Sequence, residues 1–579
     1  MRAILWGDDP ERNSLRLFEA PRRVVVTQDL DRVMPCLQEL EREAMQGAFV
    51  VGVLAYEAAP AFDPALQVQR SSNIPLLLFG VFDSWRDVPP AKVTEGQGYK
   101  LGEWQPLLEV AQYRQRFEKI KDHIRRGDTY QVNVTFPFTS RFDGDPQAFF
   151  AELLRRQPTC FSAYIEHAGL ALCSVSPELF FRLSKDRLYA SPMKGTSARG
   201  RTLAEDNQRI ETLQRSEKEC AENVMVVDML RHDLGRIATP DSVSVPVLFA
   251  VERHPTLLQM TSSIEAQSRA SMTEVLAALF PCASVTGAPK VKTMEVIASV
   301  EPAPRGFYTG AIGVLGPGRQ AEFSVAIRTV TIDVNASTAS YSVGSGVVWD
   351  SDADAEYAEC LLKAKVIEEE VLQFDLLESI LWERKSGYLL LAEHLQRLIA
   401  SAEYFAVPIA ADAISSLLGQ QERSLQEGSW ETARVRLLVN RRGRARVEAH
   451  VFAPGDKLLP WRVRIARTAV NSADSFLYHK TTARRIYEQA LRDEPGVDDV
   501  ILWNERAEIT ESTIANVVAE IDGRLYTPPL RSGLLGGVFR RVLLERGEIA
   551  ERVLKLSEIE SFRHLFLINS LRRWVPVVF

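Results

Sequence analysis

The segments SVSPELFF (174–181), SPMKGTSARG (191–200) and SEKECAENVMVVDMLRHDLGR (216–236) follow one another closely and gather more reactive side chains than any comparable length of the chain. Glu178 follows a Ser-Pro turn at the head of an apolar run, and Lys194 sits in a loop beside Gly195. Glu219 and Glu222 precede Val224, Val227, Leu230 and Leu234, which recur at three and four. That spacing predicts a helix with both glutamates on one side. Two carboxylates one turn apart repel each other, so the pair is either solvated on a surface helix or placed to hold a cation. The stretch DSDADAEYAECLLKAKV (350–366) carries Glu356 and Glu359 at the same spacing on a second predicted helix. Two facing pairs suit a hard divalent cation such as Mg²⁺, which prefers oxygen ligands.

With 579 residues and a hydrophobic share of 46%, the chain has material for more than one core. Its net charge of −7 is mixed along the sequence and gives no argument for nucleic acid or an anionic membrane surface. The basic run Arg441 to Arg446 lies between RVRLLV and ARVEAHVF and reads as a hairpin turn. The opening MRAILWGDDPERN is charged too early for a secretory signal, and no apolar stretch approaches the roughly 18 residues of a membrane helix. A cytoplasmic protein is expected. Six cysteines without CxxC spacing indicate neither a disulfide framework nor a zinc site. None lies in a GxCxG elbow, so no glutaminase is expected in the chain.

Residues up to about Trp104 give apolar runs broken by Pro and Gly, such as VVVTQ, FVVGVLAYEAA and IPLLLFGVF, and read as strands. From Tyr113 the pattern alternates: FEKIKDHIRRG as a helix ending at Gly127, YQVNVTFPF as a strand, then a helix and the strands FSAYIEH, GLALCSV and LFFRL. The SVTGAPK loop (284–290) combines a hydroxyl, a Gly-Ala turn and a lysine, which suits an anionic ligand. Thr286 is equally placed to cap the helix KVKTMEVIASV that follows.

The first 370 residues resemble the chorismate-utilising enzymes, which include anthranilate synthase, isochorismate synthase and aminodeoxychorismate synthase component I. The likeness rests on YRQRFEKIKDHIRRGDTYQVN (113–133), the KECAEN helix, SVTGAPKVKTMEVI (284–297), RGFYTGAIG (305–313), VAIRT (325–329) and GSGVVWDSDADAEYAE (344–359). It implies Mg²⁺ held against the ring carboxylate of chorismate by Glu222 and Glu359, with Glu219 and Glu356 beside them. It implies further that Thr286, Lys290, Tyr308, Arg328 and backbone near Gly344 bind the substrate. Anthranilate synthases resemble PIAGT where this chain has PMKGT (192–196); aminodeoxychorismate synthases resemble PIKGT. The resemblance gives Lys194 the role of nucleophile at chorismate C2 and Glu178 that of general acid/base at the C4 hydroxyl, chemistry that needs a desolvated amine and a carboxyl with a raised pKa. Gln259 stands where anthranilate-forming relatives tend to carry histidine, which leaves His254 structural.

Past Glu370, VIEEEVLQFDLLESILW (366–382) reads as a helix that carries the chain into a new pattern, with a soft boundary near Gln373. HLQRLIASAEYF follows as an amphipathic helix. Lys480, in SFLYHKTTARRIYEQAL (475–491), precedes a helix with threonines at its start, and Glu511 in ITESTIANVVAEIDGRLYTPP (509–529) precedes strands joined at Asp522-Gly523. GLLGGVFRRVLLERG (533–547) runs from a glycine loop into a helix. Lysine, buried acid and glycine loop together suggest pyridoxal phosphate. Residues 374 to 579 resemble the class IV aminotransferases, in particular aminodeoxychorismate lyase. By that resemblance Lys480 forms the imine, Glu511 faces the pyridine nitrogen, and Arg397, backbone at Ile514, Ala515, Val538 and Phe539, and Ser570 bind the phosphate. Arg485 stands where branched-chain relatives have a tyrosine.

The fold class expected is therefore a multidomain α/β and α+β chain. Residues 1–372 form a chorismate-utilising domain of antiparallel sheets with flanking helices, comprising an N-terminal subregion to about 104 and a core over about 113–370. Residues 373–579 form a fold-type IV pyridoxal-phosphate domain. The resemblances imply a bifunctional enzyme of 4-aminobenzoate synthesis, with Mg²⁺ and pyridoxal phosphate as cofactors, a separate glutaminase subunit supplying ammonia, and homodimer formation through the C-terminal half. Two rivals remain open: an anthranilate synthase joined to a D- or branched-chain aminotransferase, and a synthase with a non-catalytic C-terminal scaffold.

Overall fold

The structure, a computed structural model, describes residues 1–6, 14–70, 74–93, 98–157, 161–254, 256–368, 372–453 and 459–579. The chain forms two compact units that do not divide at a single point in the sequence. The first takes Met1–Ser197, Leu213–His254 and Gln259–Val371; the second takes Ala198–Thr212, Pro255–Leu258 and Leu372–Phe579.

The first unit is built on two large sheets, one of 11 strands and one of 10. In the first sheet the long strands Gln131–Gly144 and Thr338–Val347 pair antiparallel from Thr338↔Arg141 to Val347↔Val132. The sequence TASYSVGSGV explains the pairing: alternate residues Ala339, Tyr341, Val343, Ser345 and Val347 are buried while their neighbours are not. Inner faces of both sheets share one core that includes Leu5, Phe18, Val51, Val53, Phe82 and Ile165. Helices Val110–Arg125, Pro146–Arg156, Lys290–Val300 and Ala353–Ala364 cover the outer face of the first sheet. Helices Leu30–Met45, Glu217–Gly235 and Met272–Leu279 cover the outer face of the second. The result is a helix, sheet, sheet, helix layering. Each fully buried Leu, Ile or Phe in these layers contributes about 1.5–3 kcal/mol.

One buried ion pair ties several loops of this unit together. Arg305 donates to Glu301 Oε1 at 2.7 Å, to the Asn133 carbonyl at 2.8 Å and to the Val285 carbonyl at 2.9 Å. Its guanidinium lies over the Tyr56 ring at 4.5 Å. Glu301 in turn accepts from the Thr135 backbone N–H at 2.9 Å. Both side chains are almost wholly out of water, at 1% and 3% exposure.

In the second unit a four-stranded antiparallel sheet (Gly387–Tyr388, Leu376–Glu383, Thr432–Val439, Ala445–Val451) packs against helices Leu391–Tyr404 and Ala411–Glu427. The basic run fills the turn between its last two strands. An eight-stranded sheet follows, in which Trp461–Ile465 runs parallel to both Asp499–Trp503 and Arg573–Val578. The pair Glu511↔Asn516 joins the first strand of that path to Asn516–Ile521, so six strands close into a ring around Val463, Ile501 and Val517.

Three local expectations are corrected. Leu376–Glu383 is a strand rather than a helix: LLESILWE pairs along its length with Thr432–Val439, and the sheet context overrides its helix-compatible spacing. The helix after Lys480 is Arg485–Asp493, with Arg484 at its N-cap; Thr481 and Thr482 instead accept backbone N–H groups from Ala483 and Asp375. Leu30–Met45 forms a 16-residue helix within the region read as strands, capped by the Asp29 carboxylate. Among the described residues no helix is long and apolar enough to cross a membrane.

Removing one partner of a buried ion pair leaves the other charge uncompensated. Glu301→Gln should therefore destabilise the first unit by about 3–5 kcal/mol, read as a lowered urea midpoint of its unfolding transition with unchanged slope.

Candidate active sites

A cavity of about 210 Å³ in the first unit collects most of the reactive side chains of the opening segments. Lys194 enters it from the strand Met193–Ala198, whose backbone is fixed by the glutamate helix: Asn223 Nδ2 donates to the Lys194 carbonyl at 3.2 Å, and Ser262 Oγ donates to Asn223 Oδ1 at 2.6 Å. Gly195, at φ +96°, takes a left-handed conformation beside Glu219, which accounts for the glycine after the lysine. The amine lies 3.5 Å from Asn133 Oδ1. A side chain at Gly346 would begin 2.7 Å from that nitrogen, so the glycine keeps its space open. Burial lowers the Lys194 pKa, against the pull of Glu222, Glu359 and Glu178.

Glu178 follows Pro177 at the end of one strand and is 3% exposed. Ser284 Oγ donates to its Oε1 at 2.6 Å. Burial pushes its pKa up to about 7 in spite of Ser284 and Lys194, so the carboxyl holds a proton near neutrality. Tyr308, Arg328, Tyr341 and Gly344 line the same cavity. Arg328 has φ +49° and a buried Nη1 with no hydrogen-bond partner, a donor left for an anion.

All four glutamates of the two pairs border this cavity. Glu219 and Glu222 project from Glu217–Gly235, whose N-cap Ser216 accepts from the Glu219 N–H. Glu356 and Glu359 project from Ala353–Ala364, capped by Asp352. Burial first raises Glu219 and Glu222, and nearby carboxylates add to it: Glu359 and Glu356 at Glu219, and Glu219 and Glu359 at Glu222. Glu356 accepts from Ser351 Oγ at 2.7 Å, and Glu359 pairs with Lys363 at 2.7 Å. Among the described residues no three acidic, histidine or cysteine side chains converge closely enough to hold a metal ion. The donor set, carboxylates from two helices at one cavity, still has the chemistry of a Mg²⁺ site.

Two expected ligand-binding residues lie elsewhere. Lys290 donates to Asp233 Oδ2 at 2.8 Å and to the Leu279 carbonyl, so its charge is already matched and it does not line the cavity. Thr286 turns its hydroxyl back to the carbonyls of Cys282 and Ala283. Nor does it cap the helix, whose N-cap is Pro289. Lys363 and Asn133 do line the cavity and were missed. Lys363 lies four residues after Glu359, a spacing that could have flagged it; it donates to the Gly344 carbonyl at 2.9 Å.

A second cavity, of about 330 Å³, lies in the second unit and brings together Lys480, Arg397, Glu511, Ile514, Ala515, Val538 and Ser570. Burial, helped by Arg397, lowers the Lys480 pKa to about 8. Glu511 accepts from Tyr487 Oη at 2.8 Å, and burial lifts its pKa to about 7. Arg397 is committed in part, donating through Nε and Nη2 to Glu378 at 2.9 and 2.6 Å and through Nη1 to the Gly536 carbonyl at 3.1 Å. Glu378 also bonds His394, and the Arg397 charge together with these hydrogen bonds outweighs its burial to hold its pKa near 2. Val538 opens the helix Val538–Glu545, with free N–H groups in its first turn. A Cβ on Gly537 would fall 1.9 Å from Asn516 Oδ1, so only glycine fits that cradle. Phe539 packs its ring with Val518 and Leu543. An amine of lowered pKa, a buried acid and a helix N-terminus fit pyridoxal phosphate.

Arg434, Arg436 and Arg484 also line this cavity and were not anticipated. The first two are alternate residues of Thr432–Val439 and share one face, a period-two signal present in ARVRLLV. Arg485 is exposed; Arg484 and Tyr487 are the residues that reach the cavity.

A charge-assisted hydrogen bond to a carboxylate contributes about 1.5–3 kcal/mol. Arg328→Leu should therefore weaken binding of a carboxylate ligand in this cavity by roughly 10- to 100-fold, measured by isothermal titration.

Comparison with known proteins places these two cavities in separate families. The chain is 38% identical over 266 residues to aminodeoxychorismate synthase component 1 of Salmonella typhimurium, a match covering 46% of this chain and 58% of that protein. It thus spans a little over half the length of this relative. An anthranilate synthase component 1 of Haloarcula marismortui is 34% identical over 366 residues, 55% of this chain and 72% of its own. The crystal structure of anthranilate synthase component I from Streptococcus pneumoniae superposes with TM-score 0.55 at 22% identity over 64% of this chain and 92% of that one, a likeness of fold. Residues 375–578 match the model for amino-transferase class IV. Residues 2–369 match the model for chorismate binding enzyme, and the chain belongs to that family.

Proposed function

We propose that the first unit converts chorismate and ammonia to 4-amino-4-deoxychorismate and that the second removes pyruvate from this product to leave 4-aminobenzoate. The observation that carries the reading is Lys194: a desolvated amine lining one cavity with a protonatable Glu178, an unpaired arginine donor and four glutamates. The similarity to a protein named aminodeoxychorismate synthase component 1 supports it, as does the class IV domain that follows.

In this reading Arg328 and Tyr308 orient the substrate, and Glu222 and Glu359, with Glu219 and Glu356 beside them, would hold Mg²⁺, which would supply positive charge for a substrate carboxylate. Lys194 forms a bond to C2 while the C4 hydroxyl departs as water with the proton of Glu178. Ammonia then bonds to C4, and the C2–N bond breaks to restore the Lys194 amine. A separate glutaminase subunit supplies the ammonia, in keeping with the "component 1" of the relative's name.

In the second unit Arg397, Ser570 and the backbone at Ile514, Ala515, Val538 and Phe539 would hold the phosphate of pyridoxal phosphate, and Glu511 would keep its pyridine nitrogen protonated. The cofactor, when bound, supplies an electron sink. Lys480 takes the proton from C4, the C3–O bond breaks, the ring becomes aromatic, and the enolpyruvate that leaves takes up one proton to become pyruvate. Arg434 and Arg436 give this cavity positive charge for a substrate with two carboxylates.

Purified protein supplied with chorismate, an ammonium salt, Mg²⁺ and pyridoxal phosphate should release 4-aminobenzoate, identified by mass and fluorescence. Lys480→Ala should stop at aminodeoxychorismate, and Lys194→Ala should lose both products by about 100-fold or more. Release of 2-aminobenzoate by the wild type would overturn the assignment of Lys194. Because Glu178 acts as an acid with its pKa raised to about 7, the amination rate measured at constant free ammonia should fall as pH rises through that value.

A further inference from the structure

Residues 198–212 lie in the sequence between Lys194 and Glu219, inside the span that matches the chorismate-binding family, yet they belong to the second unit. Within that unit they form a closely bonded cluster with Tyr404, Tyr478 and His479. Arg199 donates to Asp206 Oδ2 at 2.8 Å and to the Tyr404 carbonyl at 2.7 Å, and its guanidinium lies 4.3 Å from the Tyr404 ring centre. Tyr404 Oη donates back to the Gly200 carbonyl at 2.7 Å. Asp206, wholly buried, also accepts from the Gly200 N–H at 2.6 Å.

The same segment reaches the two residues that precede Lys480. His479 Nε2 donates to the Arg201 carbonyl at 3.2 Å, while Ser401 Oγ lies 2.9 Å from Nδ1 and the ring stacks on Tyr404 at 4.3 Å. Burial holds the His479 pKa down near 4, so the ring is neutral and its one N–H is the one given to Arg201. Arg201 Nη1 donates to Tyr478 Oη at 2.9 Å, and Tyr478 Oη donates to the Ser472 carbonyl at 2.7 Å. Glu205 holds the Arg201 guanidinium in place from one helical turn away. Tyr478 and His479 are each 6% exposed. Their side chains have few rotamers left, and His479 is joined to Lys480 by one peptide bond and Tyr478 by two.

We propose that residues 198–212 are a working part of the pyridoxal-phosphate half, and that Arg201 is a positioning residue for Lys480, acting through Tyr478 and His479. This rests on the reading of Lys480 as the cofactor-binding lysine. The segment takes no part in chemistry; it sets the direction from which the amine meets the cofactor.

The test uses the full-length protein. Arg201→Leu should weaken pyridoxal phosphate binding roughly ten-fold, the loss of one charge-assisted hydrogen bond, followed by quenching of tryptophan fluorescence. It should also raise hydrogen exchange at 476–481 while the amination of chorismate stays at the wild-type rate. Arg201→Lys, which keeps a donor for Tyr478, should recover most of the affinity. Tyr404→Phe removes the hydroxyl that bonds Gly200 and Ser475 and should raise exchange at 198–206 and 476–481 together. Wild-type affinity and exchange in both Arg201→Leu and Tyr404→Phe would overturn the proposal. A wild-type protein that binds no pyridoxal phosphate, or a Lys480→Ala variant that binds it with the same visible spectrum, would instead overturn the reading of Lys480.

Discussion

An amine taken out of water must find acceptors or give up its proton, and two lysines of this chain meet that condition in opposite surroundings. Lys194 sits among carboxylates, with Glu222, Glu359 and Glu178 all drawing its pKa back up against burial. Lys480 has Arg397 and Arg484 pressing in the same direction as burial, which brings it to about 8. The first surroundings suit an amine that shares its cavity with a metal and a departing hydroxyl. The second suit one that must be neutral for part of each turnover.

The Lys194 setting depends on elements held in place by bonds outside the reacting groups. The Arg305–Glu301 pair binds the carbonyls of Asn133 and Val285 and the N–H of Thr135. Asn133, Thr135 and Val285 all border the cavity of the first unit. The strand carrying Lys194 is pinned by Asn223 of the helix that carries Glu219 and Glu222. Lys194 and the carboxylates of that helix are thus fixed to one another by a single amide side chain.

The sequence made the sites more legible than their boundaries. Glu178, Lys194 and the two glutamate pairs were readable because each stands in a short phrase whose turn or helical spacing leaves few orientations. Lys290 was misread because its partner, Asp233, is brought to it only by folding. Leu376–Glu383 was misread because LLESILW satisfies helical and strand spacing alike, and pairing with Thr432–Val439 decides between them. That residues 198–212 fold with the second unit has no trace in composition or periodicity, since it rests on bonds to residues some two hundred positions away, such as Arg199 to Tyr404.

The ring of six strands in the second unit is closed by one pair of residues, Glu511 and Asn516. Glu511 is also the buried acid, and Asn516 also fills the space that Gly537 leaves. Substitutions at either position therefore change a seam of the architecture together with a catalytic environment, and drift there is barred on two counts. A natural search for new reactions on this scaffold has its freedom at Arg434 and Arg436, where side chains alternate off a strand that is already paired on both edges.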